Sequence, residues 1–201
     1  SCGIPAVMVD HLNPLVAEDH CAVLKNDEAA GEIAARELIR TVCTKLAYIA
    51  HLSNFQPIHN RQEGIERTVN SCKDVSLHVI DSGGILFQDG YEVGKTLENM
   101  DDSSRPDGVI AGTDRIAVGI ITAIVEGGKL RIPEDLSIIG TEGDHIEVES
   151  PRSLTVVCSP GIDMGRKATE QIIDEIQNGK SHIHSTQLLM PTLQRRGSTR
   201  R

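Results

Sequence analysis

Short apolar bursts alternate along the chain with longer stretches in which apolar residues recur every three or four positions. A burst bounded by polar residues or glycine predicts a strand, and the i, i+3, i+4 spacing predicts an amphipathic helix. Strands are expected at 4–9, 21–24, 46–50, 77–80, 109–111, 136–139, 154–157 and 187–190. Helices are expected at 28–42, 57–72, 89–100 and 114–126, with a fifth running from Ser159-Pro160 to a stop at Gly179. The first helix aligns Ala35, Leu38, Ile39 and Val42 on one face, and the fourth aligns Ala117, Ile120, Ile121 and Ile124. Met164, Ala168, Ile172 and Ile176 form the stripe of the last. Gly127-Gly128 closes the fourth helix, because glycine takes the left-handed geometry of a C-terminal cap without strain. Ser159 is expected to cap the last helix, with Pro160 at its first position.

Strands alternating with helices in this way predict an α/β fold, parallel sheets flanked by helices on both faces. Ligands of such sheets sit beyond the carboxyl ends of the strands. The segments to weigh are therefore Asp10, Lys25, 51–61, 81–87, 112–114 and 141–144. Phe55 and Phe87 fall in two of them, and each reads either as a stacking surface for a ligand or as a plug in local core. Asp114, directly after a strand, reads as a helix cap rather than a ligand contact.

Composition narrows the function. The 201 residues suffice for one large domain or two small lobes. With 2% aromatic residues and no Trp, the core must rest on Ile, Leu, Val and Ala. A net charge of −9 repels phosphate backbones, so direct DNA binding by this stretch is not expected. The one basic cluster, Arg195, Arg196, Arg200 and Arg201, reads as a solvated tail. The cysteines Cys2, Cys21, Cys43, Cys72 and Cys158 show no paired spacing, which fits a reducing cytoplasm better than a disulfide framework. No apolar run approaches the roughly 18 residues of a membrane span, so no membrane partner is expected.

Enzyme signatures are missing: there is no phosphate loop, no dinucleotide fingerprint and no nucleophile elbow. Asp10 and Glu142 could form an acid–base pair, but the sequence sets no distance between them. His182 and His184, two apart on a loop, lack the spacing of a helix-borne metal site and read as structural or solvated. The expectation is a protein that is not an enzyme and holds no metal or cofactor.

One stretch is more specific. Gly112-Thr113-Asp114-Arg115-Ile116-Ala117-Val118-Gly119 leads through Glu126-Gly127-Gly128 to Arg131-Ile132-Pro133-Glu134-Asp135-Leu136-Ser137-Ile138-Ile139-Gly140. It resembles the lactose-repressor family pattern N-D-x-x-A-x-G … G-x-x-I-P-x-D-[VIL]-S-[IV]-[IV]-G-[FY]-D. Gly3-Ile4-Pro5-Ala6-Val7-Met8-Val9-Asp10, Val23-Leu24-Lys25-Asn26, Arg61-Gln62-Glu63-Gly64-Ile65, Gly90-Tyr91, Leu154-Thr155-Val156-Val157 and Arg196-Gly197-Ser198-Thr199 match further family fragments in family order. The resemblance covers nearly the whole chain.

What the resemblance implies is a two-lobed, periplasmic-binding-protein-like (type I) fold. In it, 1–24 and 159–187 form part of an N-terminal lobe, and 25–158 and 188–201 form a C-terminal lobe. It also implies that the DNA-binding head, the hinge helix and about half of the first lobe are absent, so that no strand within 1–24 is fully buried without a partner. Asp10, Arg61, Thr113 and Glu142 would line an effector cleft between the lobes, with Phe55 and Ile85 beside them. The Arg61 fork suits polar or anionic effector groups, and the two carboxylates suit hydroxyls. Thr113 stands where the family has Asn, Glu142 where it has Asp, Ile85 where some relatives have an aromatic ring, and Lys25 where an Asp is usual. These departures leave the fold intact and the effector unnamed. The family reading is the core of a cytoplasmic, homodimeric transcriptional regulator that binds a sugar or sugar-like effector and meets operator DNA only through the absent head. The alternative is a periplasmic sugar-binding protein of a transporter, which shares the fold.

Overall fold

The computed structural model describes residues 4–11, 20–52, 55–143 and 150–200. Cys2, Asp144 and Arg201 lie outside the described residues. The chain runs β1 (Val7–Val9), β2 (Cys21–Lys25), α1 (Asp27–Arg40), β3 (Lys45–Ala50), α2 (Gln56–Asn70), β4 (Ser76–Asp81), α3 (Phe87–Glu98), β5 (Gly108–Ala111), α4 (Asp114–Gly127), β6 (Ser137–Gly140), β7 (Thr155–Cys158), α5 (Gly161–Asn178), β8 (Thr186–Leu189) and β9 (Thr192–Gln194). It divides into two units, Ser1–Asn26 with Ser159–Pro191, and Asp27–Cys158 with Thr192–Arg201.

The larger unit holds a six-stranded sheet in the order β4-β3-β5-β6-β7-β9, parallel except for the β7–β9 pair. Successive side chains of a strand point to opposite faces, and here both faces are covered. Leu46, Tyr48, Ala50, Ile110 and Ile139 pack with Ala34, Leu38, Ile65 and Val69 of α1 and α2. Ala47, Ile49, Val109, Ala111 and Ile138 pack with Leu97 of α3 and with Ile116, Ile120, Ile121 and Ile124 of α4. The expected α4 stripe is wholly buried, and Gly128 ends the helix with φ 74° while its N–H bonds the Ile124 carbonyl at 3.0 Å. Helices α1 and α2 meet backbone to backbone: a Cβ on Gly31 would strike the Arg61 carbonyl, and one on Gly64 the Glu28 carbonyl.

Two expectations for this unit are corrected. The buried face of α1 is Ala30, Ala34, Ala35 and Leu38, whereas Val42 lies past the helix end with φ 65° and is 76% exposed. The basic C-terminal segment is built into the fold rather than solvated. β9 pairs with β7, the Arg195 guanidinium donates twice to the Glu37 carboxylate at 2.8 and 2.9 Å, and Arg196 donates to the Leu154 carbonyl at 2.7 Å. Ser198 and Thr199 are buried, and Ser198 Oγ accepts from Thr155 N and donates to the Ile138 carbonyl.

The smaller unit is a three-stranded parallel sheet, β1-β2-β8, with α5 packed on β1 and β2. Cys21, Ala22 and Val23 are wholly buried. Against the expectation of no fully buried strand within 1–24, β2 is central, paired on both edges and packed by α5, with Leu24 alone half-buried. The edge strand β1 is half-exposed. Helix α5 starts at Gly161, one residue later than expected. Pro160 is the cap residue, its carbonyl accepting from Met164 N at 2.9 Å, and the Ser159 hydroxyl faces Met164 Sδ at 3.6 Å instead of capping. Of the expected α5 stripe, Met164 is buried but Ile176 is 65% exposed.

Candidate functional site

From β3 the chain moves out through α2 to β4, then returns through α3 to β5 on the other flank of β3. Helices leaving β3 and β5 therefore diverge to opposite faces, and a crevice opens beyond the carboxyl ends of these strands. A cavity of about 340 Å³ occupies that place in the larger unit. Its walls are Ala50 and His51 after β3, Phe55, Pro57, Ile58 and Arg61 at the start of α2, Ile85 after β4, Gly112 and Thr113 after β5, and Glu142 after β6. Five of the six candidate residues, Phe55, Arg61, Ile85, Thr113 and Glu142, thus come together. Asp10 belongs to the smaller unit, where it ends β1 with φ 65° and its N–H bonds the Val23 carbonyl at 2.9 Å.

The polar side of the cavity is held by local bonds. Arg61 is 4% exposed, and its Nε and Nη2 both donate to Asp27 Oδ1, at 3.2 and 2.6 Å. Its Nη1 donates to the Gly112 carbonyl at 2.6 Å and to Thr141 Oγ1 at 2.8 Å. The fork therefore pins the start of α1 and the ends of β5 and β6 to α2, and Asp27 is a partner that local sequence spacing did not reveal. Thr113 Oγ1 accepts from Ile116 N and donates to the Ile85 carbonyl, both at 3.2 Å, so one hydroxyl caps α4 and anchors the loop after β4. Asp114, expected to cap, is fully buried for another reason. Its carboxylate accepts from Glu142 N at 3.1 Å and Gly143 N at 2.6 Å, while Glu142 Oε2 accepts from Asp114 N at 3.3 Å. This reciprocal pair fixes the loop that presents Glu142.

The opposite side is apolar and open: Phe55 is 44% exposed and Ile85 49%. His51 stands at the rim with Nδ1 3.4 Å from Asp81 Oδ1. The Gly83 N–H, helped by the Leu52 N–H and His51, holds the Asp81 carboxyl below the ordinary range. Phe87 takes neither expected role, since it stacks on Tyr91 at the surface with ring centroids 6.1 Å apart. A cavity with one polar, pre-ordered wall and one apolar wall suits a small ligand that has hydroxyl groups and a flat apolar face.

A larger recess, about 530 Å³, lies among Arg40, Arg195, Arg196, Thr199 and Arg200. Its cationic character is partly cancelled by Glu37. Burial pushes that carboxyl up, but hydrogen bonds from Arg40 and Arg195 outweigh it and hold the group at about 2. The smaller unit brings His182 and His184 to the start of β2. They join Cys21 in one cluster, and the His182 side chain is only 5% exposed.

Comparison with known proteins places this geometry. Residues 35–199 match the periplasmic binding protein-like domain. The ribose operon repressor of Haemophilus influenzae is 30% identical over 171 residues, 85% of this chain and 50% of that protein. The HTH-type transcriptional regulator MalR of Streptomyces coelicolor is 27% identical over 98% of this chain and 56% of its own length. The chain thus spans about half the length of the curated relatives it matches. Among solved structures, an uncharacterized protein from Actinobacillus succinogenes superposes with a TM-score of 0.84 at 26% identity, covering 98% of this chain and 71% of that one. The fold is also that of a LacI family transcriptional regulator from Enterococcus faecium with bound ribose, at TM-score 0.83 and 24% identity over 98% of this chain and 70% of that one. Among the described residues no helix is long and apolar enough to cross a membrane. The chain belongs to the periplasmic binding protein-like domain family, and its relatives there are transcriptional regulators of the lactose-repressor type.

Proposed function

We propose that this chain is the effector-binding core of a cytoplasmic, homodimeric transcriptional regulator, not an enzyme. The larger unit holds a sugar or sugar-like molecule, and binding controls operator affinity through a helix-turn-helix head outside this sequence. The single observation that carries the reading is the cavity at the strand switch point, where Thr113 and Glu142 face Phe55 and Ile85. Glu142 accepts hydrogen bonds from hydroxyls, and Phe55 offers a ring face to the apolar side of a sugar. Arg61 serves as the floor, its fork already committed to Asp27, Gly112 and Thr141. The printed functions of the relatives favour a regulator over a transporter's binding protein. Asp10 stays an effector-contact candidate on the family resemblance alone.

A thermal-shift screen of sugars, sugar phosphates and nucleobases tests the binding step. A ligand at a hundred times its Kd stabilises the native state by about 2.7 kcal/mol. Phe55→Ala should remove that shift while leaving the ligand-free melting point in place. A screen with no binder, or a shift unchanged in Phe55→Ala, would overturn the assignment of this cavity. On the longer protein, operator affinity must change with ligand, since a switch requires unequal affinity for two states.

A further inference from the structure

Three metal-binding atoms from distant segments converge in the smaller unit, and none belongs to a residue that lines the cavity described above. Cys21 opens β2 and is wholly buried. Its Sγ lies 3.2 Å from His182 Nε2 and 4.0 Å from His184 Nδ1, and the three atoms lie within 4.8 Å of one another. A tetrahedral ion with bonds of about 2.3 Å to sulfur and about 2.0 Å to nitrogen sets those atoms about 3.5 Å apart. The two sulfur–nitrogen separations straddle that value.

The surroundings are those of ligands rather than of a chance contact. His182 Nδ1 stands 2.6 Å from Asp174 Oδ2. A carboxylate only accepts, so Nδ1 carries a proton, and in the neutral imidazole Nε2 then turns a lone pair toward the sulfur. This carboxylate–histidine pairing is the usual outer support of a metal-bound imidazole. Ser185 N–H donates to Cys21 Sγ at 3.4 Å, which supports negative charge on sulfur. The thiol has one proton for two facing imidazole nitrogens, so without an ion His184 would have to donate through Nδ1 across the long 4.0 Å contact. Beside it, the His20 ring meets His184 edge-on at 6.3 Å, and its buried Nδ1 has no partner among the described residues.

We propose that Cys21, His182 and His184 bind a divalent ion of the zinc class, with His20 or water in the fourth position. One thiolate and two imidazoles select borderline-soft ions over magnesium or calcium, which take oxygen ligands. The ion would clip β2 to the segment joining α5 to β8, and so staple a unit with few buried side chains of its own.

The test uses the full chain without a histidine tag, stripped with a chelator and titrated with zinc and, separately, cobalt(II). The expected result is one ion per chain, a raised melting point and a thiolate-to-cobalt charge-transfer band that Cys21→Ser abolishes and Cys72→Ser leaves. Because Cys21 is buried and its replacement can disturb folding, exposed His184 supplies the second variant. His184→Gln should keep the metal-free melting point and lose at least tenfold in zinc affinity. Asp174→Asn should weaken binding by about 10-fold through His182. No stoichiometric binding, a cobalt band that survives Cys21→Ser, or unchanged affinity in His184→Gln would overturn the site.

Discussion

The two units are built from the same elements and differ in how completely those elements cover one another. In the larger unit every interior strand carries apolar residues on both faces, and two helices lie over each face. Among the described residues of the smaller unit one helix covers a three-stranded sheet, and Ile162, Ile176, Ile183 and Leu188 are 92, 65, 84 and 61% exposed. The first is held by burial and the second leans on polar contacts, among them the Cys21–His182–Asp174 chain. Hydrogen exchange should show this directly, with slow amides in β3 and β5 and faster ones in β1.

The largest expected effect lies where the larger unit departs from apolar packing. Arg61→Ala removes the guanidinium from a carboxylate, Asp27, that is 5% exposed. Breaking a buried pair from one side costs about 3–5 kcal/mol. Chemical denaturation should show that loss as a lower midpoint in the absence of any ligand. A smaller loss would mean that Arg61 is free to serve an effector, so the same measurement separates the structural from the ligand-binding role. It also explains why Phe55, not Arg61, is the useful probe of the cavity.

Next comes acid. The Glu37 carboxyl stands at about 2 in the folded chain against an ordinary value of 4.5, because Arg40 and Arg195 outweigh its burial. A depressed folded value means the stability it contributes is complete above the ordinary value. That contribution is lost as pH falls from about 4.5 toward 2. Glu37→Gln should flatten this limb of the stability curve and cost about 1.5–3 kcal/mol at neutral pH, the worth of hydrogen bonds to a charged group. Release of β9 from α1 should accompany it, since Arg195 follows β9 directly. An acid limb unchanged by the substitution would remove Glu37 as the tie between the C-terminal segment and α1.

What could be read in the sequence follows the same division. The α4 stripe and its Gly128 stop were legible because periodicity and glycine geometry are local signals. So was the set of loops that lines the cavity, because strand ends in a parallel sheet locate ligands before any coordinates do. β9 was missed because Thr-Leu-Gln offers one apolar residue and no period, and its pairing with β7 is long-range. Thr113 rather than Asp114 caps α4, a shift of one residue that decides which side chain is left to hold Glu142. The Cys21 cluster was invisible to spacing rules, since its sulfur and its imidazoles are about 160 positions apart.

The smallest predicted effect sharpens the contrast most. Ile124 and Ile176 are both late members of an apolar helical stripe, and the sequence treats them alike. Ile124 is wholly buried in the larger unit, and removing its side chain should cost about 2–5 kcal/mol as lost burial plus cavity. Ile176 is 65% exposed on α5, and Ile176→Ala should stay within about 0.5 kcal/mol, the range of ordinary surface substitutions. The alanine partly compensates by its better helix propensity. Denaturation of the two variants side by side reads the difference directly. Equal costs would mean that something covers the α5 face in solution, and the contrast between the units would then belong to the isolated chain alone. Unequal costs of the expected size mean that the stripe in α5 is a pattern without a core beneath its last turn. In that case periodicity reports where a helix lies, and only packing reports what it contributes.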